Sequence, residues 1–283
     1  MKKVLKLNAT SVIVFTVWLL IFCATGVIYY TSVYGSNNSK VVDAKVASDY
    51  IEQTSEIDFL EGKVIVGFGD SIMKGKGAGD TSLTQLIADK HNMRFQDFSR
   101  SGATVASKER KKSDLTLNML QQVQNLISQV DYTDYIVFNG GTNDSGVKSG
   151  ISMGTITENY DDPRDITTYC GAFEEIVSML KKNYPNAVIV YVRAHVMDRR
   201  VYKDQLVYGD EAIKICQKWG IGCADIFEES KLNTYLDRYK AYTMVTDEYP
   251  DGDMVHPTLE GYELFYIPYI EDAFKLAVMG ENN

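Results

Sequence analysis

Histidine and cysteine are scarce in this chain, three and four among 283 residues. None of the seven stands at the paired spacings that hold zinc, so no metal site is expected. Cys216 and Cys223 lie close enough in sequence to form a disulfide in an oxidising compartment, which would leave Cys170 alone. They serve equally well as small buried apolar side chains. Repeats and low-complexity tracts are missing, which excludes a repeat array. Positive charge is also short: 29 Lys and Arg face 38 Asp and Glu, a net charge of −9. A surface that acidic repels phosphate backbones, so nucleic acid is not an expected partner.

Between Lys6 and Lys40 there is no charge at all. Inside that gap, Val12–Tyr30 is an apolar run long enough to cross a bilayer core, closed by tyrosines suited to an interface. Lys2, Lys3 and Lys6 on its short side place the amino terminus in the cytoplasm and everything after residue 30 outside. A cleaved signal peptide is the alternative, since Ala24-Thr25-Gly26 resembles a processing site. The run continues apolar through Val27–Tyr30, which favours an uncleaved anchor. The expected organisation is thus an anchor over 1–30, a polar stalk over 31–60 with a short helix in Val41–Ile57, and one domain over 61–283. All acidic residues fall downstream of the anchor, so that domain is more acidic than the whole chain.

From Lys63 onward, strand and helix patterns alternate, which predicts right-handed crossovers and a parallel sheet. The first strand is the apolar run Val64–Phe68, which breaks abruptly into Gly69-Asp70-Ser71 and a glycine-rich stretch to Gly79. Further strands are expected at Met93–Phe98, Tyr135–Asn139, Ala187–Val192 and Ile221–Phe227. Helices are expected at Ser82–His91 (capped by Asp80 or Thr81), Asp114–Val130, Ile166–Asn183, Val207–Gly220 and Thr258–Met279. Ser145–Asp165 is polar and reads as a long loop beside the functional face. The sum is a three-layer α/β/α domain.

Ligands of open α/β sheets bind beyond the carboxyl ends of the strands. Four such turns here carry chemistry. Ser71 follows the first strand, Gly102 the second and Asn143 the third, and Asp253-Met254-Val255-His256-Pro257 precedes the last helix. A serine that attacks an ester needs a base, a group that orients the base, and donors for the oxyanion. His256 can take the Ser71 proton, and Asp253 can fold back onto the other imidazole nitrogen. The backbone N–H groups of Ser71 and Gly102, with the Asn143 amide, can form the oxyanion hole. Singly, each residue is an ordinary turn or cap residue. Their conjunction in chain order, each at a strand end, points to catalysis.

Gly69-Asp70-Ser71-Ile72-Met73-Lys74-Gly75, Ser101-Gly102-Ala103-Thr104, Gly141-Thr142-Asn143-Asp144 and Asp253–Pro257 resemble the four blocks of the SGNH hydrolases, or GDSL esterases/lipases. The resemblance spans about residues 63–278. It implies a flavodoxin-like fold with a five-stranded parallel sheet, Ser71, His256 and Asp253 as catalytic residues, and Ser71, Gly102 and Asn143 as oxyanion donors. It implies two-step acyl transfer with no metal or organic cofactor.

His195, at the end of the fourth strand, either lines the acyl or acceptor pocket or is a loop residue with a satisfied hydrogen bond. Asp144 is expected to fix the loop that carries Asn143. Arg193, Arg199 and Arg200 either meet an anionic substrate or form a solvated charged loop. The expected substrate is an acyl ester on an extracellular carbohydrate. A lipase, lysophospholipase or thioesterase, an O-acyltransferase, and a non-catalytic binding module are the alternatives.

Overall fold

The computed structural model describes residues 58–107 and 118–281, and those from Leu60 on belong to one compact unit. The expected anchor at Val12–Tyr30, the stalk and its helix at Val41–Ile57 lie outside the described residues. Among the described residues no helix is long and apolar enough to cross a membrane.

Five parallel strands run β1 (Val64–Gly69), β2 (Arg94–Asp97), β3 (Tyr135–Asn139), β4 (Val188–Arg193) and β5 (Gly222–Asp225), in the spatial order β2-β1-β3-β4-β5. The helices between them are α1 (Leu83–Lys90), α2 (Met119–Gln129), α3 (Tyr169–Asn183) and α4 (Tyr202–Trp219). Single turns α5 (Ile226–Glu229) and α6 (Asp237–Lys240) follow β5, and then α7 (Leu259–Phe265) and α8 (Ile267–Glu281).

The three inner strands β1, β3 and β4 are apolar on both faces because both are covered, whereas the edge strand β2 is mostly polar and exposed. Val66, Phe68, Ile136, Phe138, Ile189 and Tyr191 form one face and pack with Val123, Leu126, Phe173, Ile176 and Ile215 of α2, α3 and α4. Phe68 and Phe138 stack across β1 and β3 with ring centroids 4.8 Å apart. On the other face Tyr135 meets Phe274 of α8 edge-on at 5.0 Å. Each such fully buried side chain is worth about 1.5–3 kcal/mol of transfer free energy.

Several element bounds differ from the sequence-based expectation, for local reasons. The cap of α1 is Ser82, whose hydroxyl accepts from Gln85 N at 3.1 Å, and not Asp80 or Thr81. The described part of the expected 114–130 helix begins at Met119, where Asn118 caps it. Thr168 caps α3, which so starts at Tyr169. The expected strand Ile221–Phe227 stops at Asp225, whose carboxylate caps α5 by accepting from Glu228 N at 3.2 Å. The expected last helix is two: Pro268 has no N–H to continue the ladder, and the chain turns at Tyr266 between α7 and α8. Cys170, Cys216 and Cys223 are free thiols.

In this order the sheet is extended from β1 to β2 on one side and from β3 to β5 on the other, and the carboxyl ends of the parallel β1 and β3 lie side by side, Gly69 opposite Asn139. That crevice is where such sheets bind ligands.

Candidate active site

Ser71 stands two residues beyond β1, on a turn held from three sides. Gln122 of α2 accepts from Gly69 N at 2.8 Å and donates at 3.0 Å to Gly69 O, which also accepts from Arg100 N at 2.9 Å. The Asp70 carboxylate accepts from Ile72 N at 2.8 Å. The Tyr262 hydroxyl of α7 donates to Ile72 O at 2.6 Å. The turn is therefore rigid, with Ser71 only 7% exposed.

His256 reaches this serine from the loop before α7, its Nε2 2.9 Å from Ser71 Oγ. Its Nδ1 is hydrogen-bonded to Asp253 Oδ2. The other Asp253 oxygen accepts from Val255 N at 3.0 Å and His256 N at 2.9 Å. This compact wrap requires Met254 in the left-handed region, φ +63°. Thr243 compensates by accepting from Met254 N at 2.9 Å. Burial pushes the Asp253 carboxyl up, but the hydrogen bonds from the His256 ring and from both N–H groups outweigh it and hold the pKa below the ordinary value. Asp253 is thus ionised at neutral pH and keeps the imidazole proton on Nδ1, leaving Nε2 free to accept from Ser71. Gly77 admits this loop: a Cβ there would lie 2.4 Å from His256 O and 2.3 Å from Pro257 O.

The segments that follow β2 and β3 are tied to each other. Gly102 has φ +83°, a conformation that glycine takes without strain. Asn143 Nδ2 donates to Ala103 O at 2.8 Å, which fixes the amide plane and leaves its second N–H to point elsewhere. Asp144 ties the two segments by accepting from Val105 N at 3.0 Å and Ala106 N at 2.9 Å. Asp70 and Asp144 are fully buried, and burial pushes the pKa of each up to about 6.

His195 sits behind this assembly. It is 1% exposed, and its Nδ1 lies 2.7 Å from the hydroxyl of Tyr266. That hydroxyl also accepts from His195 N at 3.2 Å. Burial pushes the imidazole down to about 4, so it is neutral at neutral pH. It lines the inner wall of a small cleft next to Thr142 and offers no exposed nitrogen. Arg193 is buried and pairs with Asp210 and Asp225, both at 3.1 Å, so its place is structural. Arg199 lies over the Tyr249 ring, 4.3 Å from its centroid.

Ser71, His256 and Asp253 stand in one hydrogen-bonded line, and Asn143 is tied to Ala103, the neighbour of Gly102. Gln122 and Tyr262 were not singled out in the sequence, although a glutamine inside the apolar stripe of α2 was the available sign. No group of His, Cys, Asp and Glu among the described residues is placed to hold a metal ion.

The model of the GDSL-like lipase/acylhydrolase family matches residues 68–264. Among solved structures, a protein from Lactobacillus plantarum is 17% identical, with 78% of this chain and 98% of that one covered and a TM-score of 0.58. Phospholipase A1 from Streptomyces albidoflavus is 16% identical over 75% of this chain and 99% of its own, with a TM-score of 0.52. At such identities the likeness is one of fold. No functionally curated protein matches.

Proposed function

The chain belongs to the GDSL-like lipase/acylhydrolase family, and from that premise we propose a serine esterase that removes short acyl groups, acetyl above all, from a carbohydrate outside a membrane. The observation that carries the chemistry is the hydrogen-bonded line from Ser71 Oγ through His256 to Asp253.

In the first step Ser71 gives its proton to His256 Nε2 and its Oγ attacks the acyl carbon. The carbonyl oxygen becomes an oxyanion and is met by the N–H groups of Ser71 and Gly102 and the Asn143 amide. As the tetrahedral intermediate collapses, the protonated His256 returns the proton to the leaving alkoxide, which departs as the alcohol. Water then repeats the sequence on the acyl-serine, releasing the acid. Asp253 holds the imidazole orientation and stabilises its charged form throughout.

A short acyl group is supported by the mostly polar loops that follow the strands, since a long acyl chain needs an apolar groove. Export rests on the uncharged run Val12–Tyr30 behind three lysines, with residues 31–60 as stalk and 61–283 as catalytic domain. A carbohydrate substrate is an extension of that location. One observation favours a second reading, a long-chain acylhydrolase. Val147 and Val245 are exposed apolar residues, one four positions past Asn143 and the other next to Met244, whose N–H bonds His256 O.

The test is hydrolysis by the full chain of p-nitrophenyl esters of increasing acyl length, beside Ser71→Ala and His256→Ala. Acetate ester cleavage that both substitutions abolish, falling off with chain length, is expected. A rise with chain length would replace the short-acyl reading by the second one. No cleavage at any length by a folded chain would refute the esterase.

A further inference from the structure

Several cations of the described domain are ion-paired. Arg193 has two carboxylates, Arg164 bonds Glu175 at 2.8 Å, and Lys218 bonds Glu174 at 2.6 Å. Arg200, on the loop between β4 and α4, has none within ion-pair distance among the described residues. Its Nε donates to Thr142 O at 3.1 Å and its Nη1 to Arg199 O at 3.2 Å, both neutral carbonyls. A guanidinium has five N–H donors, so two bonds leave most of the fork, including all of Nη2, without an acceptor among the described residues. The group is nevertheless half-buried. Burial, and secondarily Arg199, lower its pKa, while Asp70 and Asp253 act across space in the opposite sense. A charge kept partly out of water with carboxylates only at a distance is costly unless something closer supplies a counter-charge.

Its position is specific. Thr142 is the residue before Asn143, so the guanidinium is tied to the strand end that carries the third oxyanion donor. Arg200 also lines the cleft beside Thr142, together with Ser145, Met197, Gln205 and Tyr208. The free space there suits a single small group, and a planar fork suits the oxygens of a carboxylate or phosphate. With a net charge of −9, the chain as a whole repels anions, so any preference for one must come from a local cation.

We propose that Arg200 determines specificity by binding an anionic substituent, carboxylate or phosphate, carried by the ester substrate beside its scissile acyl group. The inference rests on the esterase reading above. The rival account makes Arg200 a counter-charge for Asp70 and Asp253, or a clamp on the Thr142 carbonyl. Either rival role would support neutral and anionic esters alike.

Matched substrates separate these accounts. With the full chain, kcat and KM are measured for 4-acetoxybenzoate against its methyl ester, for 4-acetoxyphenyl phosphate against phenyl acetate, and for mono-p-nitrophenyl succinate against its methyl ester. The first two pairs place a carboxylate or a phosphate on the alcohol side, and the third places a carboxylate on the acyl side. In at least one pair the anionic member is expected to be preferred by about 10- to 100-fold in kcat/KM, the size of a charge-assisted contact. Arg200→Gln is expected to erase that preference, chiefly through KM, and Arg200→Lys to keep part of it. If Arg200→Gln does not fold, the wild-type preference should still shrink in high salt while the neutral rate holds. Equal rates within every pair, or a preference that survives Arg200→Gln, would overturn the inference. So would equal losses on charged and neutral members. Those outcomes leave Ser71-dependent hydrolysis of the neutral esters intact. Absence of that hydrolysis would instead overturn the esterase reading, and this inference with it.

Discussion

Replacing Asp253 by asparagine tests the hydrogen-bonded line with almost no change of shape. The amide side chain would keep Oδ1 as acceptor for Val255 N and His256 N, at 3.0 and 2.9 Å in the native protein. At the second position an NH2 group would face His256 Nδ1 where a carboxylate oxygen now accepts. Two donors cannot face each other, so the imidazole proton moves to Nε2 and points at Ser71 Oγ. The serine then lacks a base, and the charged imidazolium of the transition state lacks its counter-ion. By the same substitution in serine-protease triads, the loss in kcat is about 10⁴-fold, or about 5 kcal/mol of barrier. The assay is steady-state hydrolysis of p-nitrophenyl acetate with a melting curve alongside. A melting temperature within a few degrees of wild type and a fall of three to five decades in kcat are expected. A loss below tenfold in a folded variant would refute the reasoning, because Asp253 would then be only the cap of a turn.

Two further outcomes follow from the geometry. Under the proposed mechanism Asn143→Ala removes one oxyanion donor and should lower kcat by about 10²–10³-fold with little change in KM, read from the same kinetics. Asp70 has a folded pKa of about 6 against the ordinary 3.8. Between those values the folded state binds more protons than the unfolded, so Asp70 lowers stability as pH rises through that window, by about 3 kcal/mol in all. Asp70→Asn removes that slope: urea midpoints of wild type should fall relative to the variant between pH 4 and pH 6, and parallel curves would contradict the assignment.

Much of this was legible in the sequence because the fold and the chemistry leave separate marks. A buried parallel strand must be apolar on both faces, so Val64–Phe68, Tyr135–Asn139 and Ala187–Val192 stand out to within a residue of β1, β3 and β4. Ser71 and Asn143 lie just past strand ends, and a strand end announces itself by an abrupt change to Gly, Asn, Asp or Ser. What stayed hidden depends on long-range partners. Gln122 meets Gly69 across 53 positions and Tyr262 meets Ile72 across 190, and neither separation leaves a local pattern. Arg193, Arg199 and Arg200 look alike in sequence. Only packing distinguishes the ion-paired Arg193, the Arg199 laid over Tyr249, and the Arg200 that has no carboxylate at ion-pair distance among the described residues. The break before α8 was in principle readable from Pro268, but the apolar periodicity runs straight through it.

The central claim, that Ser71 is the nucleophile of an acyl-enzyme, is tested most directly by trapping it. The full chain is treated with a p-nitrophenyl alkylphosphonate, which leaves a stable tetrahedral adduct on an activated serine, and is then digested for mass spectrometry. A single adduct on the peptide containing Ser71 is expected, absent in Ser71→Ala and formed far more slowly in His256→Ala. An unlabelled Ser71 in a folded chain, or labelling that His256→Ala does not slow, would contradict the account.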